Sequence, residues 1–162
     1  MPIPQHASIH RSAGHWPGEQ AASAVTLDFE ARHRRRTLLT LDDGEVIILN
    51  LPRAVAMSDG DGLQLEDGRW VRVHASKERL VEIRHPDLVQ LVRLAWHLGN
   101  RHLPTDICGP LLRIRPDHVI EGMLRDMGAD LRTVAASFQP EGGAYAGHSH
   151  SHHAGEIEHH HG

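Results

Sequence analysis

The stretch HPDLVQLVRLAWHLGNRH, residues 85–102, is where the chain changes its period. Leu88, Leu91, Val92, Ala95 and Leu98 recur at the spacing of one helical face, Pro86 suits a first turn, and Gly99 offers a stop. This predicts an amphipathic helix, with His102 thrown out into a turn just past its end. Beyond it, HLPTDIC (102–108) and LLRIR (111–115) read as short extended runs. DHVIEGMLRDMG (117–128) reads as a second helix: Asp117 can cap it, Val119, Ile120, Met123, Leu124 and Met127 form its apolar face, and Gly128 ends it. LRTVAASF (131–138) is a last strand, and RLVEIR (79–84) stands in front of the first helix. The order is therefore β-α-β-β-α-β, the split ferredoxin-like arrangement.

Upstream the pattern is different. AVTLDFE (24–30), TLLTL (37–41), EVIILNL (45–51) and RWVRVHA (69–75) are short β-branched or alternating runs, cut by DDG at Asp42, DGDG at Asp59 and EDG at Glu66. Asp-Gly turns between such runs predict hairpins, so this half is a small all-β domain. The EF-hand spacing is absent from DDG and DGDG, which leaves them as turns. The fold class is thus α+β: a loose leader over 1–20, a β-rich domain over 21–77, a ferredoxin-like domain over 78–140, and a disordered His-rich tail over 141–162.

Composition excludes several functions. No run approaches the ~18 apolar residues of a membrane span, and the leader has no signal-peptide core, so a soluble cytoplasmic protein is expected. A net charge of −4 argues against nucleic acid as a partner. The basic run RHRRR, Arg32 to Arg36, lies between two strands and reads as a solvated sheet edge. The single cysteine, Cys108, rules out an intrachain disulfide and an all-thiolate metal site within one chain, and reads best as a small buried side chain.

Histidine is the anomaly: there are 16, nearly matching the 17 Lys and Arg. Imidazole is the commonest metal-ligating side chain, so the composition points at metal or at pH. Seven lie in GHSHSHHAGEIEHHHG (147–162), namely His148, His150, His152, His153, His159, His160 and His161. Glu156, Ile157 and Glu158 interrupt them, unlike the plain block of a purification tag. His97 and His102 are further candidate ligands; His97, on the last helical turn, suits the helix dipole in a structural role. No H-E-x-x-H, Gly-x-Ser-x-Gly or phosphate-binding loop is present, which argues against an enzyme.

The motif HLGNRH (97–102), together with RHRRRTLLTLDDGE, LPRA, DGDGLQLEDGRWVRVHA and Glu78, DHVIEGMLRDMG, FQPEGGAY and the His-rich ending, resembles the UreE family of urease accessory proteins in family order from about Leu27 onward. The resemblance implies a nickel metallochaperone with a β domain likened to a peptide-binding module and a ferredoxin-like metal domain. His102 matches the family's principal nickel ligand, shared across a homodimer interface of the C-terminal domains, where a two-fold axis supplies two imidazoles from one residue. A dimer of dimers is a further possibility of that architecture. His118 matches an accessory ligand of some relatives, but Pro116 stands where those relatives have a second histidine. Implied partners are the urease accessory GTPase (UreG) and, through it, the urease apoprotein complex. Nickel is the implied cargo, and zinc or copper would bind the same imidazoles. The competing reading is a nickel or zinc storage or detoxification protein in which the tail does the binding.

Overall fold

The computed structural model describes residues 2–142. The seven histidines from His148 to His161 lie outside the described residues. The described residues form ten strands and two α-helices: β1 (His6–Arg11), β2 (Ala21–Leu27), β3 (Arg36–Thr40), β4 (Val46–Asn50), β5 (Gly62–Leu65), β6 (Trp70–Ala75), β7 (Lys77–Arg84), α1 (Leu88–Asn100), β8 (Asp106–Cys108), β9 (Leu111–Ile114), α2 (His118–Asp126) and β10 (Asp130–Ser137). The α+β class and the β-α-β-β-α-β order of the second half are as the sequence predicts.

The first six strands form one sheet in the order β2-β6-β5-β1-β4-β3. Alternation decides which side chains enter its core: Val25 and Leu27, Ile47 and Leu49, and Val71 and Val73 all point inward and are buried. The three Asp-Gly turns fall between strands, with Gly44 and Gly68 in the left-handed region that an L side chain resists.

Residues 6–11 correct the expectation of a loose leader, because they form the interior strand β1, parallel to β4 and antiparallel to β5. HASIHR alternates only weakly, through Ala7 and Ile9, and Ile9 is exposed. Only Ala7 is fully buried, and the strand is held through backbone pairing on both sides and through Asp61. The Asp61 carboxylate accepts from His10 Nε2 at 2.7 Å and from the amides of Ala13 and Ser58 at 2.9 Å each. Trp16 completes the tie: its indole donates to Gly60 O at 3.0 Å and packs so closely on Gly62 that a Cβ there would lie 2.4 Å from the ring.

The second sheet has the order β10-β7-β9-β8, all neighbours antiparallel. Val81 and Ile83 of β7 and Leu112 and Ile114 of β9 pack against Leu91, Leu94 and Leu98 of α1 and Ile120 and Leu124 of α2. Asp87 caps α1 by accepting from Val89 N, and Asp117 caps α2 by accepting from Val119 N and Ile120 N. Pro86 precedes the cap rather than opening the first turn.

The two sheets are joined by a third, smaller core of Phe29, Leu80 and Phe138. Phe29 and Phe138 meet edge to face with ring centroids 5.0 Å apart. Arg32 overturns the solvated-edge reading at its own position. It is 2% exposed and donates to Met57 O and to Phe138 O, so its guanidinium latches the β domain to the end of β10. Arg34, Arg35 and Arg36 are exposed, and Arg36 opens the edge strand β3.

Candidate metal centre

The end of α1 is built as a Schellman turn. His102 N donates to Gly99 O at 3.0 Å and Leu103 N to Leu98 O at 3.1 Å, while Leu98 and Leu103 share the apolar core. His102 occupies the left-handed position of that turn at φ 55°, and among the described residues no other non-glycine residue has positive φ. Helix α2 closes the same way with Gly128 in that place, at φ 86°, and Ala129 N reaching Leu124 O at 3.0 Å. A side chain where glycine is normal costs roughly 1–2 kcal/mol in an unstrained reference. The fold therefore holds His102 outward and exposed at the end of a half-buried helix, in a backbone conformation that glycine adopts at lower cost.

Gly99, expected to stop the helix, lies within it, and Arg101 is the cap. The apolar face read from the sequence is in fact two faces. Leu91, Leu94 and Leu98 enter the core, whereas Leu88, Val89, Val92 and Trp96 are 58–68% exposed. Leu88, Val92 and Trp96 follow one another at four-residue spacing and run along α1 towards the His102 turn. A glycine at position 99 leaves open space at the end of that stripe.

His118 is the exposed first residue of α2. The start of β8 pairs with the end of β9, Asp106 with Arg113, so the end of α1 and the beginning of α2 lie at one end of the domain. At that same end β7 starts and β10 finishes, Lys77 pairing with Ser137. Between the two domains there, a cavity of about 600 Å³ is lined by His102, Ala95 and Pro104 from the second domain, Phe29 and His33 from the first, and the segment from Pro140 to Gly142. Glu141 N donates to Thr105 O at 2.8 Å, which pins the outgoing chain beside the His102 turn.

His118 is not among the walls of this cavity, and His97 packs edge to face on Trp96 with centroids 5.0 Å apart. Among the described residues, no three His, Cys, Asp or Glu side chains come together as a metal-binding group. Cys108 is half-buried rather than fully buried; burial and then the Asp106 carboxylate push its thiol up, away from the thiolate a metal would need. His33 and the cavity were not singled out in the sequence, since positions about 70 residues apart meet only through domain docking. The one local sign was His33 within RHRRR.

Fold and site define a class: a β domain docked on a ferredoxin-like domain, with a single histidine displayed at a helix end beside the joint. The chain belongs to the UreE urease accessory protein family. The model of the UreE N-terminal domain matches residues 3–76 and that of the UreE C-terminal domain residues 78–162. It is 55% identical over 141 residues to the urease accessory protein UreE of Bradyrhizobium sp. strain BTAi1, covering 87% of this chain and 68% of that protein. The identity is 48% over 146 residues to that of Chelativorans sp. strain BNC1, covering 88% and 92%, and 45% over 137 residues to that of Agrobacterium fabrum, covering 84% and 85%. The chain spans 64% of the length of a second Bradyrhizobium relative, strain ORS 278. No helix among the described residues is long and apolar enough to cross a membrane.

Proposed function

We propose that the protein is a cytoplasmic nickel metallochaperone that carries Ni(II) during assembly of the urease active site. It works as a homodimer of C-terminal domains, with one ion held between the two His102 side chains. The observation that carries this reading is the placement of His102: an exposed imidazole in a left-handed turn, at the end of an apolar stripe that is exposed among the described residues. One imidazole cannot hold an ion usefully, so the remaining donors have to come from a second copy or from the tail histidines. The stripe of Leu88, Val92 and Trp96 is a surface on which α1 of a second copy can pack, bringing the two turns together.

A site finished by water and mobile donors exchanges its ligands readily, which suits a carrier better than a closed four-ligand cage. Zinc and copper are accepted by the same imidazoles. His118 is the accessory donor in this scheme, with Pro116 leaving it without a histidine companion. The seven tail histidines, His148, His150, His152, His153, His159, His160 and His161, load and supply the ion. The acceptor is the urease accessory GTPase and, through it, apo-urease.

The seven tail histidines also support a second reading, metal storage or detoxification. Two variants, one truncated and one full-length, separate them. Ending the chain at Gly147 should remove most bound nickel yet leave the paired His102 ion in a dimer. His102→Ala should lower the total only slightly but abolish activation of urease at limiting nickel. Normal activation by His102→Ala, with failure of the truncated chain, would make the tail the delivery site.

A further inference from the structure

We propose that the free edge of β3 docks a second copy of this chain, the two β3 strands pairing antiparallel about a two-fold axis at Leu38. The contact lies in the β domain and is independent of the pairing of C-terminal domains proposed above, so it joins one such dimer to the next.

β3 is an end strand of the first sheet, bound on one side by β4. Leu51 N donates to Arg35 O at 3.0 Å and Leu41 N to Glu45 O at 2.8 Å. Opposed residues of an antiparallel ladder alternate between bonded and non-bonded, so the odd positions from Arg35 to Leu41 bond to β4. The even ones, Arg36, Leu38 and Thr40, turn their N–H and C=O groups away from it. Asp42, next in that series, does reach the other end strand, its N–H donating to Ala24 O of β2 at 2.8 Å. Past that point the two edges part around an open cavity of about 470 Å³, bounded by Leu27, Glu30, Arg34 and residues 37–40. Among the described residues, Arg36, Leu38 and Thr40 have no backbone partner on this side. No proline or bulge blunts the edge, since the register with β4 runs unbroken from Arg36 to Thr40.

The strand is complementary to itself in one register. With Leu38 opposite Leu38 of the second copy, Arg36 faces Thr40 and Thr40 faces Arg36, and each pair exchanges both of its backbone hydrogen bonds. Sliding the strands by two residues leaves Arg36 or Thr40 unmatched. Leu38 is 66% exposed on the outer face beside its register partner Ile48, over a shallow hollow of about 330 Å³. Two Leu38 side chains side by side therefore complete one apolar row from Ile48 of one copy to Ile48 of the other. Charge selects the antiparallel sense. Parallel strands would bring Arg34, Arg35 and Arg36 of both copies together, whereas antiparallel strands set these runs at opposite ends, with Arg34 across from Asp42. None of the three arginines forms an ion pair among the described residues.

So short a contact is well below a standard interface, so association should be absent at about 1 μM and appear at about 0.1–1 mM. Sedimentation of the full chain over that range should show the mass rising towards twice its dilute value, whichever oligomer is present at dilution. Leu38→Pro should abolish the rise, because it removes an N–H at the free edge and none that bonds to β4. Disulfides read the register in a Cys108→Ser background. Bonded antiparallel residues have Cα atoms about 5.5 Å apart, within disulfide reach. Leu38→Cys should therefore cross-link with itself under mild oxidation, whereas Arg36→Cys and Thr40→Cys should each fail alone and link when mixed. Equal cross-linking of all three alone, or a mass independent of concentration, overturns the inference. Amide exchange at Arg36, Leu38 and Thr40 identifies the other occupants. Slow exchange at every concentration means that the edge is covered within one protomer, and fast exchange at every concentration leaves it to a different protein. Either result overturns the self-pairing and leaves the paired-His102 reading untouched.

Discussion

At the scale of single residues, the ligand role proposed for His102 runs against stability. Glycine in its place would relieve the left-handed strain, at the expense of greater freedom in the unfolded chain, for a net gain on the order of 0.5–1 kcal/mol. Metal-free His102→Gly should therefore melt above the parent, whereas His102→Ala, which keeps a Cβ at φ 55°, should not. Both should lose the ion proposed to be shared by two copies of His102, so a thermal scan with and without nickel tells the two effects apart. Asp61 has the opposite character, a polar residue that holds the fold together. Burial pushes its carboxyl up, but the His10 ring and the amides of Ser58 and Ala13 outweigh burial, so its pKa lies below the ordinary carboxylate value. A carboxyl depressed in the folded state contributes stability that is complete above about 3.9 and is lost as pH falls through the folded value. Asp61→Asn should cost about 1–3 kcal/mol at neutral pH and flatten the acid limb of a urea-midpoint profile; an unaltered profile would remove Asp61 as the knot that ties β1.

At the scale of elements, α1 faces two ways, and the second face is where association is tested. Trp96→Glu or Val92→Glu alters exposed positions, so the monomer should lose no more than about 0.5 kcal/mol. Sedimentation should nonetheless show a monomer, and the ion shared by paired His102 should vanish although His102 is untouched. A dimer that survives both substitutions would place the contact elsewhere. The elements also show what could be read in advance. Longer strands with two inward residues at alternate positions, such as β4 and β6, announced themselves. β1 did not, because HASIHR buries one alanine, and neither did β5, whose Leu63 and Leu65 alternate inward but whose four residues are hemmed in by the turn signals DGDG and EDG. The helical period located α1 but could not say which of its apolar residues face a core, and it passed over Leu94. His102 stood out through resemblance to a family; yet aligning LGNRHL with LRDMGA puts His102 where Gly128 sits, a local sign that a side chain had taken a glycine's place.

At the scale of the whole molecule, the two domains act as one body because Phe29, Leu80, Phe138 and Arg32 join them. Arg32→Met keeps volume but strands the carbonyls of Met57 and Phe138, with an expected loss of about 2–4 kcal/mol. Calorimetry should then resolve two transitions in place of one, and His33 should lose its fixed relation to His102. A single transition, lowered but undivided, would mean that the apolar contact suffices to couple them. The joint could not be inferred from RHRRR, since nothing local separates the buried arginine from its three exposed neighbours.

That latch has a consequence for how the chain is made. Arg32 and the carbonyl it closes on are 106 residues apart in sequence. At about 5–20 residues per second, roughly 5–20 s pass between the synthesis of one and the other. For that interval the nascent β domain stands with a charged latch open and the face of Phe29 uncovered, while most of the second domain is still being translated. A translational pause within that span would prolong exposure of this seam, so codon choice over the second domain bears on the yield of folded protein.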